Sequence, residues 1–347
     1  MTRLLAVRLD AAGDMLLTGP AIRALRRGSS HVDVLASPAG EAAARLLPEV
    51  ADVLVFDAPW SGYAPPAVDA DATRALVADL DRRRYDGAVI FTSFHQSPLP
   101  MAMLARLAGI GFVAATSEDY PGSLLDVRHR RAAPPGGGHE VEAMLDLAEA
   151  AGAPPRRNAE DRRLAVRRPL PALPGSVDAL PGPYVVVHPG ASVPSRSLSG
   201  GHARAIVTAL RVAGRRVVVT GAPTDRALCA EAAAVDGVVD LCGATDLAGL
   251  AAVLDAASCL VAGNTGPAHL AAAVGTPVVS LFSPVVPASR WAPYGVDVVL
   301  LGDQHAPCRD TRARECPVPG HPCLSGVDPR DVVAAVADLT TSDDKAA

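Results

Sequence analysis

Short apolar runs recur along the chain, each followed by a turn and then by a stretch whose apolar residues fall three and four apart. The run at residues 4–9 ends on Asp10, Ala11-Ala12-Gly13-Asp14 reads as a turn, and from Met15 the positions Leu16, Ile22 and Leu25 continue on one helical face. Residues 31–36, 53–56 and 87–92 are the next strand candidates, with helical spacing between them, as over 73–83. Alternation of this kind predicts βα units and a parallel sheet, since parallel neighbours need a crossover long enough to hold a helix.

The pattern restarts after a segment rich in proline and arginine. Tyr184-Val185-Val186-Val187-His188 reads as a strand running into the turn Pro189-Gly190-Ala191-Ser192. Helices are expected at 201–213, 225–234 and 247–256, with strands at 216–220, 238–241 and 259–262. Asn264-Thr265-Gly266 opens a further helix to residue 274, 277–282 is another strand, and 328–339 is a last amphipathic helix. The fold class is therefore α/β, with two Rossmann-like, doubly wound parallel-sheet domains. Pro169, Pro171, Pro174, Pro181 and Pro183 mark the linker. The expected division is 1–170, then 171–327, a helix at 328–340 and a disordered tail at 341–347. Ligands of such sheets bind outside the carboxyl ends of the strands, so a central cleft faced by both domains is the expected site. Neither domain opens with Gly-x-Gly-x-x-Gly, which argues against a nicotinamide-dependent dehydrogenase.

Composition sharpens this picture in a few places. Aromatic residues make up 3% of the 347 positions, so the cores must be built from small and β-branched side chains. A net charge of −5 argues against a general nucleic-acid binder, which would need a basic face. Arg156, Arg157, Arg162, Arg163, Arg167 and Arg168 crowd one stretch, read as a solvated interdomain linker. No apolar run reaches the length of a membrane span, and the first apolar run is too short for a signal peptide. A cytoplasmic protein is expected, compatible with a peripheral contact at the inner face of the membrane. Cys229, Cys242 and Cys259 lie in apolar surroundings and read as core residues. Cys308, Cys316, His321 and Cys323 lack the paired Cys-x2-Cys spacing of a structural zinc site, and no metal is assigned to them.

The sharpest chemical signal is Gly263-Asn264-Thr265-Gly266-Pro267-Ala268-His269, a strand end that opens a helix. Unpaired N–H groups and the helix dipole there favour an anion; Thr265 adds a hydroxyl, and His269 follows one turn on. An ordinary N-cap with proline in the first turn explains the same residues. The loop at 188–192 is a second candidate, with Ser192 to position phosphate oxygens and Arg196 to neutralise a leaving diphosphate. Gly221 and Asp225 follow another strand, where an acid either holds ribose hydroxyls or favours its own helix start. Gly13 and Asp14 sit between the first strand and helix, where a carboxylate serves as a base towards an attacking hydroxyl or as a helix cap.

Arg8-Leu9-Asp10-Ala11-Ala12-Gly13-Asp14-Met15-Leu16-Leu17-Thr18-Gly19-Pro20-Ala21 resembles the amino-terminal signature of the ADP-heptose heptosyltransferases, glycosyltransferase family nine. Residues 263–273, Gly275-Thr276-Pro277, Phe282-Ser283-Pro284 and 290–295 resemble that family's nucleotide-binding signature. The 188–192 loop and His139-Glu140-Val141-Glu142 also fit, and the matches keep their order from residue 8 to about 325. The resemblance implies the GT-B architecture, an acceptor-binding first domain and a nucleotide-sugar-binding second one. It implies inverting, metal-independent transfer of a heptose from an ADP-sugar, with no cofactor, to a lipopolysaccharide-core-like, lipid-linked or small-molecule acceptor. Asp14 would be the catalytic base, and domain closure would align the reactants. Gly13, Ser192, Arg196, Gly221, Asp225, Asn264, Thr265, Gly266 and His269 would bind the donor, and Ser93, His95, Gln96, Asp119 and Arg128 the acceptor. The chain departs from the family where Asn264 replaces a frequent Asp, and where Arg196 and Leu198 replace Lys and Trp. A nucleotide-sugar epimerase shares the architecture but needs further acid–base residues; a binding-only homologue would have no need of Asp14, Thr265 and His269.

Overall fold

The computed structural model describes residues 2–62, 64–131, 138–154 and 156–340, so the tail expected from 341 lies outside the described residues. Two compact units part between Arg167 and Arg168.

The first unit holds strands β1 (Arg3–Arg8), β2 (His31–Ala36), β3 (Val53–Val55), β4 (Gly87–Phe91), β5 (Phe112–Thr116) and β6 (Val127–His129). They form one parallel sheet in the order β3-β2-β1-β4-β5-β6. Residues 5–8 of β1 are buried, as expected of a parallel strand covered on both faces. Helices Ala12–Gly28 and Glu140–Ala150 pack against each other. Winding reverses between β1 and β4, so the loops leaving these strands diverge and open a crevice at their carboxyl ends.

The second unit repeats the construction with β7 (Tyr184–His188), β8 (Arg216–Val219), β9 (Val239–Asp240), β10 (Cys259–Gly263), β11 (Val278–Leu281) and β12 (Val298–Leu301). Its parallel order, β12-β11-β10-β7-β8-β9, puts the reversal between β7 and β10. Val185, Val187, Ile206, Val207 and Val261 share its core with Cys229 and Cys259. Each fully buried valine contributes roughly 1.5–3 kcal/mol, so a core poor in aromatics is no handicap. Val332 and Val336 seat the last helix, Pro329–Thr340, in the same core.

Three strands, β5, β6 and β12, are not among those expected from the sequence. The arginine-rich stretch corrects the expectation of a solvated linker. Arg156 reaches Glu142, Asp146 and Glu149 on helix Glu140–Ala150, Arg162 also meets Glu142, and Arg167 donates to the carbonyls of Leu47 and Val50. In the second unit Arg168 pairs with Asp255. The acidic face of one helix, invisible as a partner from sequence, binds the segment to its own unit.

Candidate active site

The first unit's reversal point is organised by a buried arginine. Arg8, the last residue of β1, is 1% exposed; its Nε lies 2.8 Å from Asp10, and its Nη2 donates to Asp14 at 3.1 Å and to Ser93 at 2.9 Å. Burial opposes the guanidinium charge, but the carboxylates of Asp10, Asp14 and Glu140 outweigh it and hold the Arg8 pKa above its ordinary value. Asp14 lies in the first turn of helix Ala12–Gly28, just after Gly13, rather than at its cap, which is Ala11. There the helix dipole favours its charge. Asp10 is engaged twice, since Gln96 donates to it at 2.5 Å, whereas the Asp14 side chain is 25% exposed. Of the two, Asp14 is the more exposed carboxylate.

Beside this cluster a second buried pair closes the end of β4. Arg131 meets both oxygens of Glu140, at 2.7 and 3.1 Å, with the two side chains 4% and 1% exposed, and it donates to the carbonyl of Thr92. Ser93, His95, Gln96 and Asp119, expected to bind the acceptor, line one cavity of about 350 Å³ at the ends of β4 and β5. Arg128 does not line it; its guanidinium donates to the carbonyls of Ser117 and Glu118 and braces the loop from behind. Arg8, Asp10, Arg131 and Glu140 were missed as site residues in the sequence. The one available signal was a charged residue closing an apolar strand, followed at once by a carboxylate.

In the second unit the loops after β7, β8 and β10 converge. A β-carbon on Gly263 would run into the backbone carbonyl of Arg196, so that position needs glycine, whereas one on Gly190 would displace the Asp225 carboxylate. Asp225 accepts from Ala222 N–H at 3.0 Å, just ahead of helix Arg226–Ala232, and Gly221 lies against it. Ser192 is exposed at the loop tip, and Ser197 Oγ receives Ala191 N–H at 2.9 Å. Arg196 ends the short turn Pro194–Arg196, and its Nε is buried with no hydrogen-bond partner among the described residues.

Thr265 occupies the N-cap of helix Gly266–Val274, yet its hydroxyl makes no capping bond. The helix start, with Gly266 half-buried, therefore keeps donors open. His269 is buried one turn further on. Asn264 is committed elsewhere: its Oδ1 accepts from Ser283 N–H at 3.0 Å and its Nδ2 donates to the Ser283 carbonyl at 3.2 Å. An aspartate could make only the first of these bonds. His188, buried at the end of β7 and bonded to the Thr220 hydroxyl at 2.9 Å, has its pKa lowered by burial to about 4 and is neutral.

Of the remaining candidates, Cys308 and Cys323 are buried and Cys316 is half-buried. Burial, with Cys308 and Cys316 nearby, pushes the Cys323 thiol up to about 11. His321 Nε2 donates to the Ser195 carbonyl at 3.0 Å. Among the described residues no three His, Cys, Asp or Glu side chains are placed to hold a metal ion.

Two Rossmann-like units, each with polar loops at its reversal point, define a tandem α/β architecture, and comparison places the chain more narrowly. It belongs to glycosyltransferase family 9 (heptosyltransferase), whose profile matches residues 73–321. A lipopolysaccharide heptosyltransferase 3 of Escherichia coli is 32% identical over 167 residues, covering 46% of this chain and 47% of that protein. The chain spans 47% to 62% of the curated relatives it matches. Its fold is that of the GT-B heptosyltransferases. E. coli ADP-heptose lipopolysaccharide heptosyltransferase II superposes with a TM-score of 0.73 at 20% identity, covering 99% of this chain and 100% of the other. An E. coli heptosyltransferase solved with ADP gives 0.70 at 19%, covering 97% and 100%.

Proposed function

We propose that this chain is an inverting, metal-independent glycosyltransferase that moves a heptose or related sugar from an ADP-sugar to an acceptor hydroxyl. The donor belongs to the second unit and the acceptor, a glycan, lipid-linked or small molecule, to the first. Asp14 takes the proton of the acceptor hydroxyl as its oxygen bonds to the anomeric carbon. The bond from that carbon to the diphosphate breaks, and ADP leaves with the electron pair. Arg196, Ser192 and the N–H groups at Thr265 and Gly266 receive the departing charge, and Asp225 suits the ribose hydroxyls. Asn264 acts at one remove, by holding the helix start against Ser283. A guanidinium and a helix dipole supply the neutralisation that a divalent ion would otherwise provide. A lipid-linked acceptor would bring the protein to the inner face of the membrane as a peripheral guest; no described helix is long and apolar enough to cross it.

The observation that carries this reading is the buried Nε of Arg196, which has no hydrogen-bond partner among the described residues; the carbonyl of Arg196 abuts the strand end leading into the helix at Gly266. A buried charged donor without an acceptor is costly unless a ligand supplies one. Calorimetric titration of the full chain with ADP, UDP, GDP and NAD, without added metal, tests it. The expected result is selective ADP binding, weakened about tenfold or more in Arg196→Ala, where a charge-assisted bond is lost. Preference for UDP or GDP would overturn the ADP-heptose donor, and binding of NAD alone would overturn the transferase reading.

A further inference from the structure

Arg196, which the transferase reading sets against the diphosphate, is carried on a turn of three residues, Pro194–Arg196. Two bonds give that turn its shape: Arg196 N–H donates to the Val193 carbonyl at 2.9 Å and Ser197 N–H to that of Pro194 at 3.0 Å. Three more, all from Ser195, tie it to one distant loop. Ser195 is 1% exposed. Its N–H donates to the Arg314 carbonyl at 2.8 Å, its hydroxyl donates to the Ala313 carbonyl at 2.6 Å, and its own carbonyl accepts from His321 Nε2 at 3.0 Å.

The loop that receives these bonds, residues 303–325, is itself anchored. Cys308, Cys323 and Leu324 lie in the second unit's core, and Asp310 and Arg312 donate their N–H groups to the carbonyls of Pro284 and Val285 at 2.9 and 2.8 Å. Asp310, Arg312 and His321 hold φ angles of 59°, 58° and 53°, a left-handed conformation that residues with side chains seldom adopt. Such strain persists where the surroundings fix it, and it collects at functional sites. On its other side the turn meets Gly263, which the Arg196 carbonyl abuts. Its backbone is therefore held between a strand end and the loop.

We propose that His321 and Ser195 are positioning residues for Arg196: they clamp its turn to the 303–325 loop and so aim the guanidinium at the departing diphosphate. This goes beyond the transferase reading and rests on it. A long side chain meets an anion reproducibly only from a fixed backbone, and a misplacement of about 1 Å is enough to weaken the contact.

A double-mutant cycle on ADP affinity, measured by calorimetry on the full chain, tests the clamp. His321→Ala should weaken ADP binding about fivefold, as for one lost hydrogen bond. His321→Gln, whose amide can donate to the same carbonyl, should recover most of that loss, and Ser195→Ala should weaken binding to a similar extent. In an Arg196→Ala background neither alanine change should alter ADP affinity by more than about twofold, because the residue they act through is gone. Thermal unfolding checks that each variant is folded; if His321→Ala is not, Ser195→Ala carries the cycle. Parent-like ADP affinity in both alanine variants, or losses that add in full to that of Arg196→Ala, would overturn the clamp and leave the transferase reading standing. No recovery in His321→Gln would overturn the part given to His321. ADP affinity unchanged by Arg196→Ala, or no ADP binding by the parent chain, would overturn both.

Discussion

Arg8 donates from a single nitrogen to Asp14 at 3.1 Å and to Ser93 at 2.9 Å, so one buried guanidinium ties the loop after β1 to the loop after β4. Its removal by Arg8→Met takes away the buried guanidinium that Asp10 and Asp14 share. A stability loss of about 3–5 kcal/mol is expected, as for other buried pairs broken on one side, read from the urea midpoint.

On the proposed role of Asp14 as base, Asp14→Asn separates chemistry from folding. The amide keeps the size of the side chain but could not take the acceptor proton. ADP release with acceptor present should fall by about 10²- to 10⁴-fold, while ADP affinity measured by calorimetry stays within error of the parent.

Asn264→Asp swaps a donor for an acceptor opposite the Ser283 carbonyl, at the site of a 3.2 Å hydrogen bond. Lost donation in a buried position costs about 1–3 kcal/mol, so thermal unfolding should shift downwards. An unchanged melting temperature would mean that the helix start does not depend on this clip.

His188 makes the fold sensitive to acid. Its pKa is near 4 when folded and near the ordinary 6.5 when unfolded, so below pH 6.5 the unfolded chain binds the extra proton. Stability from this residue is complete above pH 6.5, is lost as pH falls towards 4, and amounts to about 3 kcal/mol. Urea midpoints from pH 7 to 4 should show that slope, and His188→Gln should flatten it.

The cysteines should differ in reactivity. Burial raises the Cys323 thiol to about 11 and Cys259 to about 12, which keeps both protonated and inert near pH 8. Cys316, half-buried, should be the first site alkylated by iodoacetamide in the native protein, as mapped by peptide mass spectrometry.

Much of the architecture was legible because valine-rich runs such as 184–188 and 216–219 form strands that β-branched residues favour, with helical spacing between them. Strand β6, only Val-Arg-His, carries no such signal; it forms because β5 offers an open edge. In the site, Asp14 and Thr265 could be picked out because they adjoin glycines at strand ends. The Arg131–Glu140 pair could not, since its members lie nine residues apart on different elements and arginine is ordinarily a surface residue. Asn264 shows a further limit: a sequence shows an amide beside a candidate anion site, and only coordinates show that it faces Ser283.

The repeated strand order has a consequence for how such a protein diversifies. Each sheet carries its loops at its own reversal point, one between β1 and β4 and the other between β7 and β10. On the proposed division of substrates, acceptor choice would be written in residues 93–98 and 117–120, and donor choice in 189–196 and 263–266. A graft confined to the first unit's loops would then be the economical route to a new product from the same activated sugar.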